Sequence, residues 1–184
     1  VAIVTRKLTP SEIQSFHQRN FDPQAVWIAT DALASIVNPA NKDSLISVND
    51  FRNILTGKVT NWKQLYPHSK LGNLTLVFDN KNSSTVRFAM DSVCHTRNIS
   101  TKNIRAMEHN KDVIDYVAHT PNAIGVIGVN WLGDKTDTTN LSFRKEVKVM
   151  SVSRDPQATA VNSCKPYQAY IYYGTYPLTR SIFA

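Results

Sequence analysis

The stretch Val77–Met90, VFDNKNSSTVRFAM, passes from apolar to polar to helical. Leu74, Leu76 and Phe78 alternate with Thr75, Val77 and Asp79, the pattern of a strand reaching a sheet edge. Asp79-Asn80-Lys81-Asn82 is turn chemistry. Ser83-Ser84-Thr85 then opens a helix whose apolar positions are Val86, Ala89, Met90 and Val93. Strand, polar turn and helix in that order form the repeating unit of an α/β fold. The hydroxyl residues permit two readings. In one, Ser83 or Ser84 is an ordinary N-cap and Arg87 pairs with Asp91 on the next turn. In the other, Ser83, Ser84 and Thr85 offer O–H donors beside backbone N–H groups that attract an anion, and that anion offsets the unfavourable placement of Arg87 near a helix start.

Upstream, Val1–Thr5 is a short apolar run and is expected to be a buried strand. Thr9-Pro10-Ser11-Glu12 is a capping box with proline at the first helical position, and the helix should carry Ile13 and Phe16 inward. Arg6 follows the run at a position where α/β sheets place ligands, although a solvated charge explains it equally. Ala25–Ala29 and Ala34–Val37 read as two strand pieces around Thr30-Asp31-Ala32. Thr5 and Thr30 are secondary donor candidates at strand ends, where ordinary hydroxyls also occur. Ser47–Asp50 starts a helix with the stripe Val48, Phe51, Ile54 and Leu55, closed after Thr56 by Gly57. Thr60 or Asn61 caps a short helix containing Trp62 and Leu65.

Downstream, His95–Lys102 is a polar loop, Asn110 caps a helix with Val113, Ile114 and Val117 inside, and Ala123–Gly128 is a glycine-spaced strand whose glycines allow close approach of a ligand or another strand. Asp134–Asn140 is a polar loop. Val147–Val152 and the tyrosine-rich Tyr167–Tyr173 read as strands, followed by an extended return through Pro177–Phe183. Strands alternating with helices argue for a mixed, mostly parallel sheet flanked by helices.

Hydrophobic residues make up 42% of the 184 and charged residues 19%, so the chain can bury a core and is neither disordered nor membrane-embedded. The net charge of +7 favours acidic partners or anions, but the basic residues are scattered and few aromatics interleave with them, so no nucleic-acid partner is expected. The two cysteines, Cys94 and Cys164, form no CxxC, and the histidines lie at no metal-ligand spacing; Asp91 and His95 read as a surface pair. No metal or other cofactor is expected. There is no GxSxG, no HExxH and no GxGxxG, and no paired carboxylates stand out, so catalysis is not expected either. The chain lacks an initiator Met and a signal peptide and opens on an apolar run, which suggests a piece cut close to a strand.

Several stretches together resemble the substrate-binding proteins of phosphate ABC transporters. Phe51–Trp62, FRNILTGKVTNW, is similar to the family's most distinctive motif. Ile28–Pro39 resembles the segment that enters the second lobe, Ser83-Ser84-Thr85 the Ser-Gly-Thr phosphate loop, Ala123–Gly128 the A-I-G-Y-V-G strand, and Tyr176–Arg180 the return to the first lobe. The resemblance implies a periplasmic-binding-protein type II fold, with residues 1–20 a remnant of the first lobe, 21–168 the second lobe and 169–184 the return segment. The family's first strand and its hydroxyl loop would then lie before Val1, so the chain is expected to be truncated there, with a dimer through exposed sheet edge as one outcome.

The function implied is capture of phosphate or a similar oxyanion in an interlobe cleft and delivery to the membrane permease of an ABC importer, with no chemistry performed. The family is periplasmic or otherwise extracytoplasmic and often lipid-anchored. The residues carried over are Ser83, Ser84 and Thr85, and Thr5 and Thr30 remain weaker candidates from their places at strand ends. Two departures matter. Ser84 replaces the loop glycine, and Asp79 stands where the family's arginine comes, four residues before the first serine. A carboxylate there repels an anion, so Arg87 or Arg6 is expected to supply the charge. A ligand-sensing regulatory domain on the same fold is the alternative.

Overall fold

The computed structural model describes residues 2–80, 83–94, 99–100, 102–139 and 142–184, with Cys94 described by its backbone alone. Val1, the Lys81-Asn82 part of the turn, the partner His95 of Asp91, and parts of the loops at 95–102 and 134–140 lie outside the described residues. The order of elements is α1 (Pro10–His17), β1 (Trp27–Val37), β2 (Leu45–Ser47), α2 (Val48–Leu55), β3 (Thr75–Phe78), α3 (Ser84–Phe88), β4 (Ile104–Ala106), α4 (Asn110–His119), β5 (Ala123–Gly128), β6 (Lys148–Val149), β7 (Ser151–Ser153), β8 (Ser163–Cys164), α5 (Gln168–Tyr172) and β9 (Thr179–Phe183). Short 3₁₀ turns occupy Trp62–Gln64 and Val129–Trp131, and a π-helical turn, Ala89–Cys94, continues α3.

The principal sheet is mixed and runs β4-β3-β5-β1-β6, with β9 paired to the first half of β1. The pairs β3–β4 and β3–β5 are parallel, whereas β1 is antiparallel to β5, β6 and β9. A smaller sheet, β2-β7-β8, lies beside it. Side-chain alternation sorts the core into two layers. Val37, Leu76, Phe78, Ile124 and Val126 face one cluster with Phe51, Ile54 and Leu55 of α2 and Val86 of α3. Ala34, Ile36, Val77, Ala123 and Ile127 face the other, with Val113, Ile114 and Val117 of α4. Helices therefore cover both sheet faces, and the arrangement is α/β with a mixed sheet.

Local chemistry sets the element ends. Ser47 and Asp50 form a reciprocal cap on α2: Asp50 N–H donates to Ser47 Oγ at 2.9 Å and Ser47 N–H to Asp50 Oδ2 at 3.0 Å. Gly57, just past the end of α2, has φ 75°, the left-handed conformation that glycine adopts without strain. Asn61 caps the turn at Trp62, whose fully buried indole donates to Asn122 O at 2.9 Å. The TGKVTNW stretch is thus a cap, a left-handed turn and a core anchor. Gly125 serves packing: a Cβ there would lie 2.8–2.9 Å from side-chain atoms of Ile36, Val113 and Val117, so the missing side chain lets α4 approach the sheet.

Five expectations need correction. The run expected over Val1–Thr5 is, in its described residues 2–5, no buried strand: Ile3 is 73% exposed, and Val4 makes one isolated bridge to Phe183. The pieces at Ala25–Ala29 and Ala34–Val37 are one strand, β1, which continues through Thr30-Asp31-Ala32 because β9 pairs that interval. Val147–Val152 divides between two sheets, since Met150 N–H turns to Ser35 O at 2.9 Å. The segment expected as the strand Tyr167–Tyr173 holds a helix, α5, with Tyr167 at its N-cap position and Gly174 after it at φ 69°. His109, not Asn110, holds the cap position of α4, its N–H donating to Asp112 Oδ2 at 3.0 Å.

Candidate functional site

β3 delivers the chain to the Ser-Ser-Thr turn. Ser83 caps α3, its Oγ accepting from Val86 N–H at 3.1 Å. Thr85 is buried within α3, and Ser84, the first helical residue, is exposed. The cap therefore falls to Ser83, and Ser84 is left on the surface with its hydroxyl outward from the helix.

A guanidinium meets that hydroxyl, and it belongs to Arg180 on β9. Asp31 and Arg180 stand opposite each other in the β1–β9 register. Arg180 Nε and Nη2 donate to Asp31 Oδ2 at 2.9 and 2.6 Å, and Nη1 donates to Ser84 Oγ at 2.9 Å. The side chains are 11% and 23% exposed for Arg180 and Asp31, so the pair is shielded from most solvent screening. One side chain thus fastens β1 and β9 to the start of α3.

A cavity of about 430 Å³ opens beside Ser84 and brings Thr5, Arg6 and Arg87 to the same space. Arg6 is already engaged. Its Nη1 and Nη2 donate to Glu12 Oε2 and Oε1, both at 2.8 Å. The hydrogen bond from Arg6, followed by those from Thr9, holds the Glu12 carboxyl well below the usual carboxylate range, and the same contact raises Arg6. Glu12 lines the cavity as well, so Arg6 faces it with its charge balanced. Arg87 is exposed and has no ion pair among the described residues. Asp79 is half-buried just past β3; its Oδ1 is buried without a hydrogen-bond partner among the described residues, and it does not line this cavity.

Thr30 is placed elsewhere. It lines a separate cavity of about 270 Å³ with Asp31, Asn130, Phe143 and Tyr167. Of the residues singled out from sequence, Ser84, Arg87, Arg6 and Thr5 converge, Ser83 and Thr85 build the turn beneath them, and Thr30 does not join them. Arg180 and Asp31 were missed. Their signal was a lone charge of opposite sign in each of two otherwise apolar or hydroxyl-bearing strands, which becomes informative once those strands are paired. Cys164 is a free thiol whose pKa is raised by burial.

A mixed sheet with helices on both faces, and two adjacent strands fastened to a hydroxyl-bearing helix start, place the chain in the α/β class. The whole chain, residues 1–184, matches the PBP superfamily domain, and the chain belongs to that superfamily. It is 27% identical over 175 residues to the phosphate-binding protein PstS of Borreliella burgdorferi, covering 90% of this chain and 56% of that one. It is 28% identical over 131 residues to the phosphate-binding protein PstS of Bacillus subtilis, covering 67% and 41%. The chain spans about half the length of these curated relatives. The crystal structure of an ABC-type phosphate transport receptor from Vibrio cholerae superposes with a TM-score of 0.71 at 22% identity, over 98% of this chain and 64% of that one, a likeness of fold.

Proposed function

We propose that this chain belongs to an extracytoplasmic solute-binding protein that captures phosphate in a cleft beside Ser84 and hands it to the permease of an ABC importer. The observation that carries the reading is the convergence of Thr5, Arg6, Ser84 and Arg87 on one cavity, with Arg180 joined to Ser84. The names of both PstS relatives support phosphate as the ligand. In this reading Ser83, Ser84 and Thr85 present the helix start and its hydroxyls, Arg87 supplies the positive charge that Asp79 does not, and Arg180, balanced by Asp31, orients the Ser84 hydroxyl. Residues 21–168 act as one lobe, and residues 1–20 and 169–184 belong with a second. The exposed apolar residues Ile3, Phe21, Val26, Trp27 and Ile28 support that division, since they gather where the second lobe would pack. The protein binds and releases its ligand unchanged, in the periplasm. No helix among the described residues is long and apolar enough to cross a membrane. The regulatory alternative is favoured by no observation.

The test is calorimetric titration of inorganic phosphate and of sulfate into the full gene product, beside Ser84→Ala and Arg180→Met. Phosphate binding weakened at least about tenfold in both variants is expected, the effect of losing one charge-assisted contact. A folded protein that binds neither anion would refute the proposal.

A further inference from the structure

A second cavity, of about 530 Å³, lies beyond the opposite end of β1 and has no part in the cleft reading. Its walls are two loops, residues 40–43 after β1 and residues 66–71 after the turn at Trp62. Both loops are fixed. Asn38 Nδ2 donates to Val117 O and Ala118 O at 3.2 and 2.6 Å, Asn41 N–H donates to Asn38 O at 3.0 Å, and Lys148 Nζ donates to Asn41 O. Ser69 N–H donates to Tyr66 O at 2.9 Å, and the Tyr66 hydroxyl donates to Leu45 O.

Two side chains on these walls are deeply buried and unfinished. Asn41 is 2% exposed and Ser69 8% exposed, and neither Asn41 Nδ2 nor Ser69 Oγ has a hydrogen-bond partner among the described residues. The orientation of the Asn41 amide is settled by its oxygen, which accepts from Asp43 N–H at 2.9 Å and so leaves the NH₂ end without a partner. Native interiors seldom leave such donors without a partner, and a bound water or ion is one recognised reason. Lys42, Lys70 and His68 line the same cavity, against the single carboxylate of Asp43. Tyr66, Pro67 and Leu71 supply an apolar surface beside these donors.

We propose that this cavity binds a small phosphate monoester with an apolar body. A phosphoryl group offers three terminal oxygens, enough to take both neutral donors and the lysine charges together, and the apolar body would rest on Tyr66 and Pro67.

The test is NMR titration of the isotope-labelled full gene product with phenyl phosphate and, separately, with inorganic phosphate. The expected result is saturable shifts at the Asn41 side-chain amide and at Lys42, Ser69 and Lys70. Phenyl phosphate should bind about tenfold more tightly than inorganic phosphate, and a Lys42→Ala/Lys70→Ala double variant should weaken it by about tenfold or more with an otherwise unchanged spectrum. Both lysines are exposed, so the variant keeps its fold. Unmoved signals at Asn41 and Ser69, equal affinity for the two probes, or indifference to the double variant would each overturn the proposal and leave a bound water as the partner of these donors. Shifts at Ser83–Thr85 report the cleft separately.

Discussion

The two halves of β1 place similar residues in opposite surroundings. Trp27 and Ile28 are 60% and 49% exposed, whereas Ile36 and Val37 are fully buried. The difference lies in what flanks them. The first half is paired with β9, and the second is held by β5 and β6 and covered by α4 and α2. Sequence hydrophobicity does not distinguish the halves, because apolar character reports what a segment is able to bury, and burial depends on what packs against it. The first half carries an apolar surface that the described chain leaves uncovered, and the second is part of a finished core.

The largest test of that contrast is a pair of truncations. Ile36→Ala should destabilise the chain by about 2–5 kcal/mol through lost transfer and a residual cavity, and Trp27→Ala should stay within about 0.5 kcal/mol, both read from urea denaturation. Equal costs would break the comparison. Gly125→Ala follows, at about 1–3 kcal/mol, because its new methyl meets three branched side chains of the buried half at once. Asp31→Asn probes the junction between the halves. It leaves Arg180 without its carboxylate in a mostly buried place, and the expected cost is about 1–3 kcal/mol, between that of exposed and fully buried pairs. The same variant should loosen the contact at Ser84, measured by hydrogen exchange at the start of α3. The smallest effect belongs to Glu12→Gln on the exposed side. The folded carboxyl lies below its unfolded value of 4.5, so its contribution is present above that pH and is lost as the pH falls through the folded value. The gap between wild type and variant should therefore close as the pH drops below about 4.5, followed by thermal denaturation. Since α1 has no buried residue, the buried half of β1 should not respond.

These contrasts also mark what the sequence conveyed. The Thr9–Glu12 box, the Ser47 cap, the stripe of α2 and the alternation in β3 are local, and each formed where its pattern lay. The tyrosines of 167–173 pointed to a strand by propensity, but no neighbouring strand takes up that segment. Gly174 turns the chain out of α5 and Arg154 Nη2 holds Gly174 O at 3.0 Å, so the short helix prevails. At the site, Ser83 and Ser84 were legible because capping is a matter of adjacent residues. The Asp31–Arg180 pair was not, because it depends on the register between two strands 149 residues apart, which no window of sequence contains.

The contact between Arg180 and Ser84 also has a polarity. A guanidinium has hydrogens to give and no lone pair to offer, and a carboxylate is the reverse. Every bond around Arg180 therefore points outward, toward Asp31 on one side and Ser84 on the other. Ser84 Oγ receives a hydrogen, and its own hydrogen is left to face away from Arg180. The row of arrows ends at the mouth of the cavity with its head outward, and what it calls for there is a hydrogen-bond acceptor.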